Sequence, residues 1–223
     1  MASGINPLHT SLLGMIKAVI FDLDGTLVDA TEAICRAVNE TIKELTGRNV
    51  SCRAIRQEIG HPIWEFFETL SPEIRDRSRE ASAIYRKKYD IIGKRLTKLL
   101  PHVKEKLSEL KKNGLKVAVV SQRPVGLTKD ILGYTGISEF VDVITSGEET
   151  EPKPSPYSVK LAIEILGVKP DETVVVGDGT FDIDAGKAIG ARTIGVLTGV
   201  GTRKDFEKSG ADEVISTMGD LKV

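Results

Sequence analysis

The 223-residue chain has two cysteines, one tryptophan, three histidines and an aromatic fraction of only 5%, and its 31 basic side chains nearly cancel 32 acidic ones for a formal charge of −1. Each scarcity excludes something. Cys35 and Cys52 are too few to staple a chain of this length and lack metal-knuckle spacing, so they are expected as separate buried or half-buried thiols in a reducing compartment. His9, His61 and His102 are too scattered for a zinc set. An even charge balance leaves no basic footprint for nucleic acid and no acidic disordered tail. No apolar run approaches the ~20 residues of a membrane span. The longest near the start, residues 12–21, is broken by Gly14 and Lys17 and lacks the basic leader and cleavage pattern of a secretory signal. These absences lead to the expectation of a soluble, cytoplasmic protein with neither nucleic-acid nor membrane partners, either a monomer or a homodimer. Gly186-Lys187 lacks the glycine spacing of a phosphate loop, and Gly199 with Gly201 does not complete a dinucleotide fingerprint.

What is present is a rhythm. Apolar runs bounded by turn residues occur at 17–21 (KAVIF), 116–120 (KVAVV), 141–145 (VDVIT), 173–176 (TVVV) and 193–197 (TIGVL), and weakly at 213–215. Several are continuously apolar, the pattern of strands covered on both faces, and helix-period segments lie between them at 101–113, 124–135, 155–166, 181–189 and 203–208. Pro101, Pro124 and Pro156 precede or open helices, and Gly114 and Gly167 stand where C-terminal caps belong. The fold class is α/β: a doubly wound, three-layer, Rossmann-like core on a parallel sheet, whose ligands sit beyond the carboxyl ends of the strands.

One interval breaks the rhythm. All of it reads as helix, at 30–46, 51–59, 62–70 and 72–93, with turns at Gly47, Gly60 to Pro62 and Ser71-Pro72. A connection between strand and helix takes only about 2–6 residues, so this is an inserted helical cap over the strand ends. The expected organisation is an extension at 1–14, a core at 15–28 and 97–223, and a cap domain at 29–96. Arg75, Arg77, Arg79, Arg86, Lys87 and Lys88 read as the solvated face of an amphipathic helix, and Trp64, Phe66 and Phe67 as cap core.

Residues able to do chemistry gather where strands end. Asp22-Leu23-Asp24-Gly25-Thr26 places two carboxylates two residues apart just past a buried strand, and period two points both to one side. The second strand closes on Ser121, the third is followed by Lys153 in a proline-stiffened loop (EPKPSP), and the fourth runs into Asp178 and Asp182, four apart at a helix entrance. Each alone also reads as turn, cap or surface chemistry. Together they place acids, a hydroxyl and one cation at a single sheet edge.

In that order, DLDGT, Ser121, Lys153 and GDGTFD resemble the four motifs of the haloacid dehalogenase superfamily of aspartate-nucleophile phosphatases. The resemblance covers residues 15–223, and the small helical cap, TGVGT at 198–202 and GAD at 210–212 look like its phosphoglycolate phosphatase-like branch. It implies Mg²⁺-dependent hydrolysis of a small phosphomonoester, with phosphoglycolate the first named candidate, through an aspartyl-phosphate on Asp22. Asp24 then serves as acid and base, kept protonated at the outset by crowding among the acids, while Lys153 holds Asp22 ionised and Ser121 donates to phosphoryl oxygens. The implied metal ligands are the Asp22 carboxylate, the Asp24 carbonyl, Asp178 and, directly or through water, Asp182. Gln122, Arg123 and His61 are the candidate substrate contacts, His61 equally reading as helix punctuation. Two alternatives stand beside this reading. A sugar-phosphate mutase of the superfamily usually adds a histidine in the first cap helix, and 30–46 contains none; a non-catalytic binding module would not need every acid.

Overall fold

The computed structural model describes residues 16–223, and the expected extension at 1–14 lies outside them. Strand β1 (Ala18–Phe21) occupies the middle of a six-stranded parallel sheet whose other members are β4 (Lys116–Ser121), β5 (Val143–Ser146), β6 (Thr173–Gly177), β7 (Arg192–Val196) and β8 (Glu213–Ile215), in the order β5-β4-β1-β6-β7-β8. Val19 is in register with Val117 on one side and Val174 on the other. All four residues of β1 are buried because both sheet faces are covered.

Alternation along the strands divides the apolar residues between two cores. Val19, Phe21, Val117 and Val119 meet Leu107 and Leu110 of α5 (Val103–Lys112) and Ile131 and Leu132 of α6 (Val125–Thr135). Ala18, Ile20, Val120 and Val175 meet Val159, Ile163 and Leu166 of α7 (Tyr157–Leu166) and Ala185 of α8 (Thr180–Ala188). Full burial of each such aliphatic side chain contributes about 1.5–3 kcal/mol before conformational entropy opposes it. A last helix, α9 (Arg203–Ser209), links β7 to β8. This is the doubly wound arrangement expected from the apolar runs.

Between β1 and β4 the chain forms α1 (Thr31–Thr46), α2 (Cys52–Glu58), α3 (Ile63–Leu70), a 3₁₀ segment (Pro72–Arg77) and α4 (Ser78–Leu96). Gly47 ends α1 in the left-handed conformation at φ 73°, and Ser51 caps α2 through its hydroxyl, which accepts from Ala54 N–H at 3.2 Å. Phe66, Phe67, Tyr85 and Tyr89 of this insertion belong to the same apolar cluster as Phe21 and Leu23 of the sheet edge. Among the described residues no helix is long and apolar enough to cross a membrane.

Four features differ from expectation. The helix expected over 72–93 is split into the 3₁₀ segment, itself kinked at Ile74 (φ −115°, ψ 18°), and α4. A short antiparallel ribbon, β2 (Val28–Asp29) with β3 (Lys98–Leu99), carries the chain out to the helices and back. Two-residue strands are too short to show period-two alternation. Strand β5 starts at Val143 rather than 141, because Ser138–Phe140 forms a 3₁₀ turn and the Asp142 carboxylate accepts from Val117 N–H at 2.8 Å and from Lys111. Finally, Cys35 and Cys52 are not separate thiols: they form a disulfide, with Cα atoms 5.3 Å apart. The turn between α1 and α2 folds the chain back and brings the two residues together, which their spacing of 17 does not reveal.

Candidate active site

The edge formed by the carboxyl ends of β1, β4 and β6 is acidic. Asp22 continues β1 by one residue, its N–H donating to Val176 O at 2.9 Å. The chain must then leave the sheet at once. Gly25 makes the turn at φ +87°, and a Cβ there would lie 2.7 Å from Asp178 Cγ, so any side chain would meet both backbone strain and a clash. Thr198 and Thr26 fix this turn, Thr198 Oγ1 donating to Gly25 O at 2.6 Å and Thr26 Oγ1 to Asp178 Oδ1 at 3.3 Å.

Lys153 reaches this edge from the loop after β5 and is almost wholly buried. Its Nζ donates to Asp22 Oδ1 and Asp182 Oδ1, each at 2.6 Å, and to Val120 O at 3.1 Å. All three ammonium protons have acceptors. Burial alone would lower its pKa, but Asp182 and Asp22 outweigh that and hold it above the ordinary lysine range. Asp182, in the first turn of α8, is committed on both oxygens, since Oδ2 accepts from Gly179 N–H at 3.2 Å. Asp178 accepts from Val200 N–H at 2.9 Å on Oδ2.

One carboxylate oxygen from each of Asp22, Asp178 and Asp182 lies within 4.8 Å of the others. Burial is the chief reason that Asp22 is pushed up to about 7, against the pull of Lys153 and with the help of Asp182 and Asp24. Asp178 is pushed well above its ordinary value, again first by burial and then by Asp22 and Asp182. An all-oxygen acidic cluster with one lysine has the donor chemistry of a hard divalent cation site. Asp22 and Asp178 are its natural holders, because Lys153 and Gly179 already engage Asp182.

Asp22 and Asp24 line one cavity of about 160 Å³, as the alternation requires, but their carboxylates diverge. Asp24 is gripped by Arg123, whose Nε and Nη2 donate to its two oxygens at 2.6 and 3.1 Å. Both Asp24 oxygens thus accept from Arg123, and the acids whose pKa burial and neighbouring carboxylates raise are Asp22 and Asp178. Arg123, expected to meet substrate, lines the same cavity and holds Asp24 through this fork. Its guanidinium stacks 4.2 Å over the Tyr89 ring and reaches Tyr85 Oη at 3.5 Å, both from α4.

Ser121 is buried at the end of β4, and its Oγ accepts from Arg123 N–H at 3.2 Å, leaving the hydroxyl proton free to donate. Gln122 lines the cavity, but its amide Nε2 donates to Lys153 O at 3.1 Å and so braces the lysine loop. His61, in the turn before α3, pairs with Glu65 at 3.2 Å and meets Phe181 of the core edge to face, ring centroids 4.8 Å apart. Sequence reasoning missed Tyr85, Tyr89, Phe181, Glu148 and the backbone of Val200. It also placed Arg86 on a solvated face, whereas Arg86 forms an ion pair with Glu148 after β5. Only Tyr85 and Tyr89 left a signal, standing four apart on a helix and so sharing a face.

Residues 19–196 match the family model described as haloacid dehalogenase-like hydrolase. The chain belongs to the haloacid dehalogenase-like hydrolases. It is 36% identical over 186 residues to a phosphoglycolate phosphatase of Aquifex aeolicus, covering 82% of this chain and 86% of that one. It is 32% identical to the pyrophosphatase PpaX of Bacillus velezensis, covering 92% and 94%. Among solved structures, a haloacid dehalogenase-like family hydrolase from Streptococcus pneumoniae superimposes with a TM-score of 0.84 at 26% identity, covering 93% of this chain and 97% of that one. In this haloacid dehalogenase-like hydrolase the four sequence motifs thus converge on the acidic edge just described.

Proposed function

We propose that this hydrolase is a phosphatase that cleaves phosphomonoesters of small metabolites with the help of Mg²⁺. The observation that carries the reading is the trio of carboxylates, Asp22, Asp178 and Asp182, gathered around a single buried lysine at the sheet edge. Mg²⁺ held by the Asp22 and Asp178 carboxylates and the Asp24 carbonyl, with Asp182 as an outer partner, would neutralise phosphoryl charge.

The steps belong to the chain's own residues. Asp22, in its ionised form, which Lys153 and a bound cation would favour, attacks phosphorus in line; a bond forms from its carboxylate oxygen to phosphorus as the bond to the leaving oxygen breaks. Ser121 donates its free hydroxyl proton to a phosphoryl oxygen, and Lys153 balances charge. Asp24 supplies a proton to the leaving alkoxide and later takes one from the water that releases phosphate from Asp22, which requires it to rotate off Arg123. The helical insertion at 29–96 acts as a cap, with His61 at the cavity wall as a selectivity residue.

Phosphoglycolate is the first substrate to test, on the strength of the similarity to proteins named phosphoglycolate phosphatase, and pyrophosphate the second, from those named pyrophosphatase. With p-nitrophenyl phosphate as a general substrate, Asp22→Asn is expected to lower kcat by roughly 10³-fold or more. EDTA should abolish turnover and Mg²⁺ restore it. Wild-type rates from the Asn variant would refute the nucleophile assignment. His61→Ala should change the ratio of kcat/KM between phosphoglycolate and p-nitrophenyl phosphate, and an unchanged ratio removes His61 from the selectivity machinery.

A further inference from the structure

The cations around the site are unevenly occupied. Those lining the main cavity each already face an acid: Lys153 meets Asp22 and Asp182, Arg123 meets Asp24 and Arg86 meets Glu148. A second, larger cleft of about 610 Å³ opens beside it, and the two share Asp24, Asp178, Ile34, Ile59 and Val200 as walls. Into this cleft α2 presents Arg53 and Arg56. Three apart on a helix, they share a face. Among the described residues, neither makes an ion pair or a side-chain hydrogen bond.

The acids of that cleft do not claim them. Asp24 is on Arg123, Asp178 accepts from Thr26 and Val200, and Asp29 Oδ1 accepts from Thr31 N–H at 3.0 Å. Two guanidinium forks therefore stand uncommitted in a cleft whose walls also include Asp24 and Asp178 of the reacting edge and residues 198–200. Guanidinium groups match carboxylates and phosphoryl groups in planar, two-point fashion. Ile34, Ile59 and Val200 give the cleft apolar walls suited to a carbon skeleton.

We infer that Arg53 and Arg56 form a subsite for a second anionic group on the leaving-group side of the substrate, so that the preferred phosphomonoesters carry a carboxylate or a second phosphoryl group away from the scissile one. The inference rests on the phosphatase reading and narrows its substrate class. Arginines at this spacing also offset the repulsion that a doubly anionic substrate meets on approaching the acids.

The test uses competitors of p-nitrophenyl phosphate hydrolysis: inorganic phosphate, which needs only the reacting edge, 3-phosphoglycerate, whose second anion is a carboxylate, and fructose 1,6-bisphosphate, whose second anion is a phosphoryl group. In the Arg53→Ala/Arg56→Ala double variant the inhibition constant of at least one bis-anion should rise about tenfold relative to that of inorganic phosphate. The competitor that weakens identifies the anion. Arg53→Lys/Arg56→Lys, which keeps charge but loses the fork, should recover part of the difference. Ile55 is the one buried residue of α2, so these exposed-face substitutions leave its packing intact. If Asp22→Asn is inactive but the ratios to phosphate do not move, the subsite alone is wrong. If Asp22→Asn retains wild-type turnover, the phosphatase reading falls and the subsite with it.

Discussion

Among the described residues, Asp178 receives hydrogen bonds only from neutral donors, Thr26 and Val200 N–H, while burial and two neighbouring carboxylates push its pKa well up. In the absence of a cation its charge therefore opposes folding. Asp178→Asn keeps the shape and an acceptor, and should abolish turnover while leaving the melting temperature in EDTA unchanged or raised by about 2–4 °C, the equivalent of about 1 kcal/mol. A lower melting temperature in thermal denaturation would show that the charge is structurally required. Asp22 gives a second, pH-dependent prediction. Its pKa rises from 3.8 to about 7 on folding. The folded state thus binds the proton more tightly; the stability this contributes is complete below about pH 4 and is lost as the pH rises through about 7. A cation must displace that proton, so Mg²⁺ affinity, read as the shift in melting temperature on titration, should be about tenfold weaker at about pH 6 than at about pH 8. Equal affinities would place the ion away from Asp22. These acids were legible in the sequence because charges directly after buried strands are costly unless they are used. The fork from Arg123 to Asp24 was not, since it joins residues 99 apart on a platform supplied by α4.

Among the α-helices, α2 is one of two, with α9, that bury a single residue. It spans seven residues and buries only Ile55, yet it carries Gln57 and leads into Ile59, Gly60 and His61, which line the main cavity. The Cys35–Cys52 disulfide ties its first residue to α1. For a separation of 17 residues, restricting the unfolded chain contributes about 3 kcal/mol. Reduction should lower the melting temperature by roughly 6–12 °C, and Cys35→Ser/Cys52→Ser should reproduce the reduced value without responding further to reductant. An unchanged melting temperature under reductant would mean that α1 and α2 are held by packing alone. The helices and core strands of this fold were readable from periodicity because each buries a stripe or both faces. Connections were harder. The β2–β3 ribbon depends on pairing residues 28–29 with 98–99, and the Cys35–Cys52 bond on a turn, neither of which is periodic.

At the scale of the whole molecule, the helical insertion touches the core at three places around the cavity: Arg86 with Glu148, His61 with Phe181, and the Tyr85–Tyr89 face with Arg123. The last two are aromatic contacts, the second including the bond from Arg123 to Tyr85 Oη, whereas the first is a charge pair between the insertion and the core. Arg86 remains 37% exposed and Glu148 13%, so solvent screening limits the pair to about 0.5–1 kcal/mol. For an insertion that opens and closes over the site, as proposed above for the cap, a contribution of that size changes the balance between the two arrangements about two- to fivefold. Arg86→Ala and Glu148→Ala should each raise KM for p-nitrophenyl phosphate by about that factor, and the double variant should do little more than either alone. Wild-type KM should rise with salt, and the same variants should lose most of that sensitivity, because the pair being screened is gone. Strictly additive effects in this cycle would mean that the two residues act independently, and that closure rests on the aromatic contacts from His61 and Tyr89 instead.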